Sequence, residues 1–123
     1  MLSPDQARAA VDRYLAAVAD GTAEEIAACY APDATVEDPA GSEPHRGRAA
    51  ITRFYAQLDG LRRETRLLTI RVAGDAAVFH FLVRTKLPGQ VVEVEPIDLM
   101  TFDERGQITS MRAFWSEADM RVS

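Results

Sequence analysis

The run TRLLTIRVAGDAAVFHFLVRT, residues 65–85, settles the class of this chain. Within it apolar residues alternate with polar ones, the two-residue period of strands with one buried face, and Gly74-Asp75 punctuates it as a turn would. Upstream of it they recur at three- and four-residue intervals, the period of a helix. The change of period near Thr65 predicts four strands, over residues 65–72, 76–85, 91–102 and 108–116, with Pro88-Gly89 and Arg105-Gly106 as the later turns. Helices first and a meander of strands afterwards make an α+β arrangement, the helices stacked on one face of a curved antiparallel sheet.

Working back from Thr65, Ser3-Pro4-Asp5-Gln6 opens a helix, with Ser3 as cap, Pro4 at the first helical position and Gln6 able to reach back. Ala7, Ala10, Val11, Tyr14, Leu15 and Val18 then lie on one stripe that ends at Asp20-Gly21, which places Tyr14 inward. A second capping pair, Thr22 and Glu25, predicts a short helix carrying Ile26, Cys29 and Tyr30 inward and stopped by Pro32. A short strand over residues 34–37 delivers Asp38 into the loop Asp38-Pro39-Ala40-Gly41, and a third helix after Gly47 presents Ile51, Phe54, Tyr55 and Leu58 on one face.

The whole chain, residues 1–123, is sized for a single domain, and it can bury a core without disulfides, which the lone Cys29 could not form internally. Apolar residues at 47% and charged residues at 27% fit a globular protein and exclude collagenous and disordered classes. A net charge of −5 with scattered basic residues disfavours nucleic acid as a partner. No apolar run is long enough for a membrane span, and MLSPDQAR lacks the apolar core of a signal peptide, so the expectation is a cytoplasmic protein with no membrane partner.

Alternation assigns faces to the strands. Val92, Val94, Asp98, Met100 and Phe102 share parity, so Asp98 projects among apolar side chains; Phe79, Phe81, Val83, Met111, Ala113 and Trp115 are candidates for the same concavity. An ionised carboxylate there would be strongly desolvated, so its pKa should rise until it is a neutral hydrogen-bond donor. A register slip of one residue would instead turn Asp98 to water, and alternation alone leaves both readings open. On spacing alone Tyr14 is core packing or a second donor, and Asp38 is a turn residue or a reactive carboxylate. His45 and His80 have no matched spacing, and no metal is expected. Cys29 on an apolar face reads as packing, Glu93 and Glu95 as a solvated face, and Asp103-Glu104-Arg105-Gly106 as a hairpin turn.

The segments DRYLAAV around Tyr14, YAPDATVEDPAG around Asp38 and PIDLMTFDERGQITSMRAFWSEADM around Asp98 closely resemble the Δ5-3-ketosteroid isomerases of the NTF2-like (SnoaL-like) superfamily, at spacings that fit with little or no gap. The resemblance covers essentially the whole chain. It implies a cone of three helices on a strongly curved sheet around an apolar pocket, and a steroid Δ-isomerase that needs no cofactor. Asp38 matches the family's general base, which moves a proton from C4 to C6 of the steroid, and Tyr14 and Asp98 match the pair that holds the C3 oxygen as it becomes a dienolate. An ionised base beside a protonated donor is the family's known division of labour. Tyr30 and Tyr55 match tyrosines that extend Tyr14 into a network, and Phe54, Phe81, Val83, Met111 and Trp115 match the steroid-binding wall. The chain departs at Ala40, where relatives carry a bulky aromatic beside the base loop. Other NTF2-like readings, a polyketide cyclase, dehydratase or epoxide hydrolase, or a non-catalytic binder of hydrophobic ligands, share the fold but do not account for Tyr14, Asp38 and Asp98 together. Finally, Val78, Leu82, Ile97, Leu99, Ile108 and Phe114 lie opposite the pocket face and predict a homodimer built on the outside of the sheet, as the resemblance also implies.

Overall fold

The computed structural model describes residues 2–123. The first helix, α1 (Pro4–Asp20), starts at the expected capping box: the Gln6 amide donates to Ser3 Oγ at 3.1 Å and the Ser3 amide to Gln6 Oε1 at 2.8 Å. Its stripe from Ala7 to Val18 is buried as the spacing predicts. The Thr22–Glu25 box likewise opens α2 (Ala23–Ala27). This helix is shorter than expected. Tyr30 is not on it but begins β1 (Tyr30–Glu37), and Pro32 lies inside that strand rather than stopping a helix. The register of β1 against its partner shifts between Tyr30 and Thr35, and such an irregularity is where a residue without an amide proton can sit in a sheet.

The chain continues through β2 (His45–Arg46) and α3 (Gly47–Tyr55), then a single turn of tighter helix over Ala56–Leu58. Gly47 is the first helical residue, and its φ of +82° is a conformation that a side chain would strain. The strands β3 (Arg62–Ala73), β4 (Ala76–Leu87), β5 (Gln90–Val94), β6 (Ile97–Phe102), β7 (Ile108–Phe114) and β8 (Met120–Val122) complete the fold. Among the described residues there are thus three α-helices and one eight-stranded sheet.

The sheet runs β2-β1-β7-β6-β4-β5-β8, with β3 on the other edge of β4. It is mixed rather than purely antiparallel, because β1 pairs with β7 in parallel. The expected strand over residues 91–102 is two strands broken at Glu95-Pro96. β6 pairs with residues 76–80 of β4 and β5 with residues 83–87, so one long strand serves two short ones that diverge. Proline at the break removes a ladder donor, and the carbonyl of Pro96 instead accepts from the Phe81 amide at 3.2 Å. The sheet curls there without closing, and α1 and α3 pack into its concave side.

Arg63, a residue the sequence pattern does not single out, ties α1 to this sheet. It is buried on β3 and donates to the carbonyls of Val18 at 2.7 Å, Leu58 at 2.6 Å and Gly21 at 2.5 Å. These carbonyls lie at the end of α1 and in the turn after α3, and one guanidinium joins the two. Ile108, expected on the outer face, is in the core instead. A register shift between Thr101 and Phe102 inverts its parity relative to the rest of β7.

Candidate active site

The concave side of the sheet holds a cavity of about 410 Å³, within the range of small-molecule sites. Phe54, Leu58, Phe81, Val83, Val94, Pro96, Ala113 and Trp115 give it apolar walls, and Tyr14, Asp38 and Asp98 are its titratable lining residues besides Tyr55. Three elements deliver Tyr14, Asp38 and Asp98 to the cavity. Tyr14 comes from the middle of α1, Asp98 from the second position of β6, and Asp38 from the residue directly after β1.

Asp98 faces inward, so the register slip is excluded: it is 1% exposed, opposite Phe79 on one side and Ala113 on the other. Neither carboxyl oxygen has a hydrogen-bond partner in the protein. Burial therefore drives its pKa well above the carboxylate range, and the charge of Asp38 adds to the rise. The direction of the shift favours the protonated acid, and a proton on either oxygen would have no acceptor in the protein.

Tyr14 belongs to a buried chain of hydroxyls, bonded to Tyr55 at 2.9 Å, with Tyr55 bonded in turn to Tyr30 at 2.7 Å. Tyr30 is wholly buried behind the cavity and does not line it. Burial raises all three phenols well above their ordinary values, so they stay protonated. The Tyr14 ring stands edge-on to that of Tyr30 at a centroid distance of 6.1 Å, a contact that helps to orient it.

Asp38 is set differently. Burial raises its pKa, and a 2.6 Å hydrogen bond that Oδ1 accepts from Nε1 of Trp115 favours the ionised form and offsets part of that rise. The loop holding it is anchored where the Ala40 amide donates to the Ala113 carbonyl at 2.6 Å and the Gly41 amide to Glu37 Oε1 at 2.7 Å. Two acids in one apolar cavity thus have their ionisations pushed apart.

Of the expected wall residues, Phe54, Phe81, Val83 and Trp115 line the cavity. Met111 does not: it is buried in the core opposite Met100, and Phe79 sits behind Asp98. The Trp115 donation to Asp38 is not legible in strand alternation, since β7 ends one residue earlier. Val94 and Thr85 could have been placed from their parity with Asp98 and with Phe81 and Val83, whereas Gln57 reaches the cavity from the tight turn Ala56–Leu58, where no strand alternation applies. Among the described residues no cluster of three His, Cys, Asp or Glu side chains could hold a metal, and no helix is long and apolar enough to cross a membrane.

Residues 11–111 match the SnoaL-like domain family, a span that includes Tyr14, Asp38 and Asp98. The chain belongs to the SnoaL-like family. A curated relative is the steroid Delta-isomerase of Nocardioides simplex, 55% identical over 118 residues that cover 96% of each chain. Solved structures of the same fold include the epoxide hydrolase/cyclase-like enzyme SalBIII of pyran ring formation in polyether salinomycin, with a TM-score of 0.88 at 22% identity over all of both chains. RV0760c from Mycobacterium tuberculosis superposes equally well, with a TM-score of 0.88 at 20% identity over all of both chains. At those identities the shared property is the fold.

Proposed function

We propose that the protein is a steroid Δ-isomerase, which converts Δ5-3-ketosteroids to the conjugated Δ4-3-ketosteroids without a cofactor. One observation carries the reading: a wholly buried carboxyl group, Asp98, with both oxygens unpartnered, opens into an apolar cavity beside a second, less perturbed carboxylate. The 55% identity to a steroid Delta-isomerase across nearly the whole chain supports it.

In this reading the Asp38 carboxylate removes the proton from C4, between the ketone and the double bond. The electron pair of that C–H bond forms the C3–C4 double bond, and the carbonyl electrons pass to the C3 oxygen. Tyr14 and protonated Asp98 both donate to this oxygen, stabilising charge that in water would wait for solvent to reorganise. Asp38, now a carboxylic acid, returns the same proton to C6: the C5–C6 π electrons form the new C–H bond, the C3–C4 π electrons shift to make the C4–C5 double bond, and the oxyanion's electrons reform the C3 carbonyl. The balance is one proton moved and none gained. A base of only modestly raised pKa can both take that proton and release it.

The test is incubation with a Δ5-3-ketosteroid while the ultraviolet absorbance of the conjugated enone is followed. A rise well above the buffer rate is expected, and its absence would refute the reading.

A homodimer is part of the same proposal. Val78, Ile97 and Phe114 are each 44% exposed on the outer face, with Leu82 and Leu99 half-buried among them, a patch unusual for a lone soluble domain. Sedimentation at micromolar concentration should give twice the 13.5 kDa chain mass; a monomer would count against it. Residence in the cytoplasm accords with an unpaired, buried Cys29.

A further inference from the structure

Besides Tyr14, Tyr55, Asp38 and Asp98, two polar side chains line the cavity, Gln57 and Thr85. They stand at its other end. Along β4 the inward residues follow one another as Phe79, Phe81, Val83 and Thr85, since residues two apart on a strand share a face. The register sets Asp98 against Phe79 and Thr85 against Val92, so Phe81 and Val83 form an apolar stretch with Asp98 at one end and Thr85 at the other.

The helices give the same order. Thr65, paired with Val83, donates its hydroxyl to the Leu15 carbonyl at 2.9 Å, and Arg63, paired with Thr85, donates to the carbonyls of Val18 at 2.7 Å and Leu58 at 2.6 Å. Thr85 is therefore level with the last turn of α1 and with the tight turn Ala56–Leu58, the element that carries Gln57. Gln57 is held there by a 2.9 Å donation from Nε2 to the Phe54 carbonyl, which leaves its Oε1 and its second amide hydrogen free for a ligand. Thr85 is half-buried, and unlike Thr65 its hydroxyl makes no hydrogen bond among the described residues.

We propose that Thr85, with Gln57 beside it, is a specificity-determining residue that selects ligands bearing an oxygen, hydroxyl or ketone, at the end opposite the reacting ketone. The proposal rests on the isomerase reading for the ligand's class: a 3-ketosteroid with its ketone at Asp98 and its rings against Phe81 and Val83 brings ring D to Thr85 and Gln57. A ligand that covers the Thr85 hydroxyl without bonding to it strands a polar group against an apolar wall, whereas a ring-D oxygen satisfies it. No other side chain at this end competes for the role. Val18, Leu58 and Val94 offer no polar atom, and the Arg63 guanidinium is engaged by the carbonyls of α1 and the turn.

The test uses two steroid phenols, one with a ring-D hydroxyl and one lacking that oxygen but otherwise identical, and reads their dissociation constants by calorimetric titration. Because the ratio compares two ligands on one protein, a general loss of folding or cavity shape in a variant cancels from it. The preference for the hydroxylated phenol should shrink by about three- to tenfold in Thr85→Val, which has the same shape without the hydroxyl, and should persist in Thr85→Ser. In Gln57→Met it should shrink by about twofold, less than at Thr85 because Gln57 is exposed to water. With Δ5-3-ketosteroids differing by the same oxygen, the ratio of kcat/KM should change in parallel. An unchanged ratio in Thr85→Val would overturn the proposal, and an unchanged ratio in Gln57→Met would remove Gln57 from it. If Thr85→Val shifts the phenol ratio in a protein that fails to isomerise any Δ5-3-ketosteroid, the reaction is refuted and the recognition of the ligand's far end stands.

Discussion

Replacing Asp98 by Leu should make the protein more stable and much less active. The carboxyl group is 1% exposed and both of its oxygens lack partners, so folding strips it of water and returns nothing. An unsatisfied buried polar group costs about 1–3 kcal/mol, and Leu is an apolar residue of comparable reach whose methyl groups suit walls made by Phe79, Phe81 and Ala113. For a chain of 123 residues, 1 kcal/mol corresponds to roughly 4 °C in Tm, so a gain of about 4–12 °C is expected near pH 5. The gain should grow with pH. The folded pKa of Asp98 is raised far above the unfolded value of about 3.9, so between those two values the native state holds a proton that the unfolded chain has lost. Stability of the parent protein then falls as pH rises, by at most about 1.4 kcal/mol per unit for this one group, while the Leu variant escapes that loss. Denaturant titrations of both proteins at pH 5 and pH 7 should therefore show the difference widening by up to about 2.7 kcal/mol. Turnover should fall roughly a hundred- to thousandfold, the usual effect of losing one oxyanion donor, and Asp98→Asn should fall less because it keeps a donor. A Leu variant less stable than the parent, or a stability difference that is flat with pH, would show that Asp98 is ionised or paired in the folded protein.

Asp38→Asn should abolish most turnover yet bind planar steroid phenols as well as the parent or better, since it keeps the shape and removes a negative charge; calorimetric titration would read this. Tyr14→Phe should lower kcat at least as much as Asp98→Leu, whereas Tyr55→Phe, which breaks the chain of hydroxyls at 2.9 and 2.7 Å, should cost roughly tenfold while leaving a donor at the site. Activity should fall on acidification as Asp38 takes up its proton, at a pH above the ordinary aspartate range because burial raises that pKa. Trp115→Phe removes the N–H that favours the ionised base, so it should move this acidic limb to still higher pH; an unchanged limb in the pH profile of kcat/KM would argue against the hydrogen bond.

How far the sequence could be read depended on whether the chain obeyed a single period. The helix starts at Ser3 and Thr22 were legible because a capping box is a local hydrogen-bond pattern, complete within four residues. Alternation left two faces open for Asp98, and the inward one holds because β6 keeps its period from Asp98 to Phe102. Tyr30 was misplaced on a helix since its spacing from Ile26 suits one, and only the long-range pairing with Ile108 makes it a strand residue. Ile108 was misplaced on the outer face because a register shift between strands leaves no mark in the sequence of either. The break at Glu95-Pro96 was announced by its proline, but the apolar parity of Val92 and Val94 with Asp98 carried the strand pattern across it. Of the candidate site, the three reactive residues came from the resemblance as much as from periodicity, and the Trp115 contact came from neither.

The division of the sheet's long middle strand between two shorter neighbours sets what can be altered independently. Asp98 is registered against the first half of β4, while Val94 and the wall near Thr85 are registered against the second, and the β5–β8 pairing hangs on that second half alone. Lengthening or trimming the β5 hairpin would change how long a ligand the cavity admits without shifting Asp98, the carboxyl group proposed to meet a ketone. The reacting end and the measuring end of this molecule are separate rulers sharing one edge.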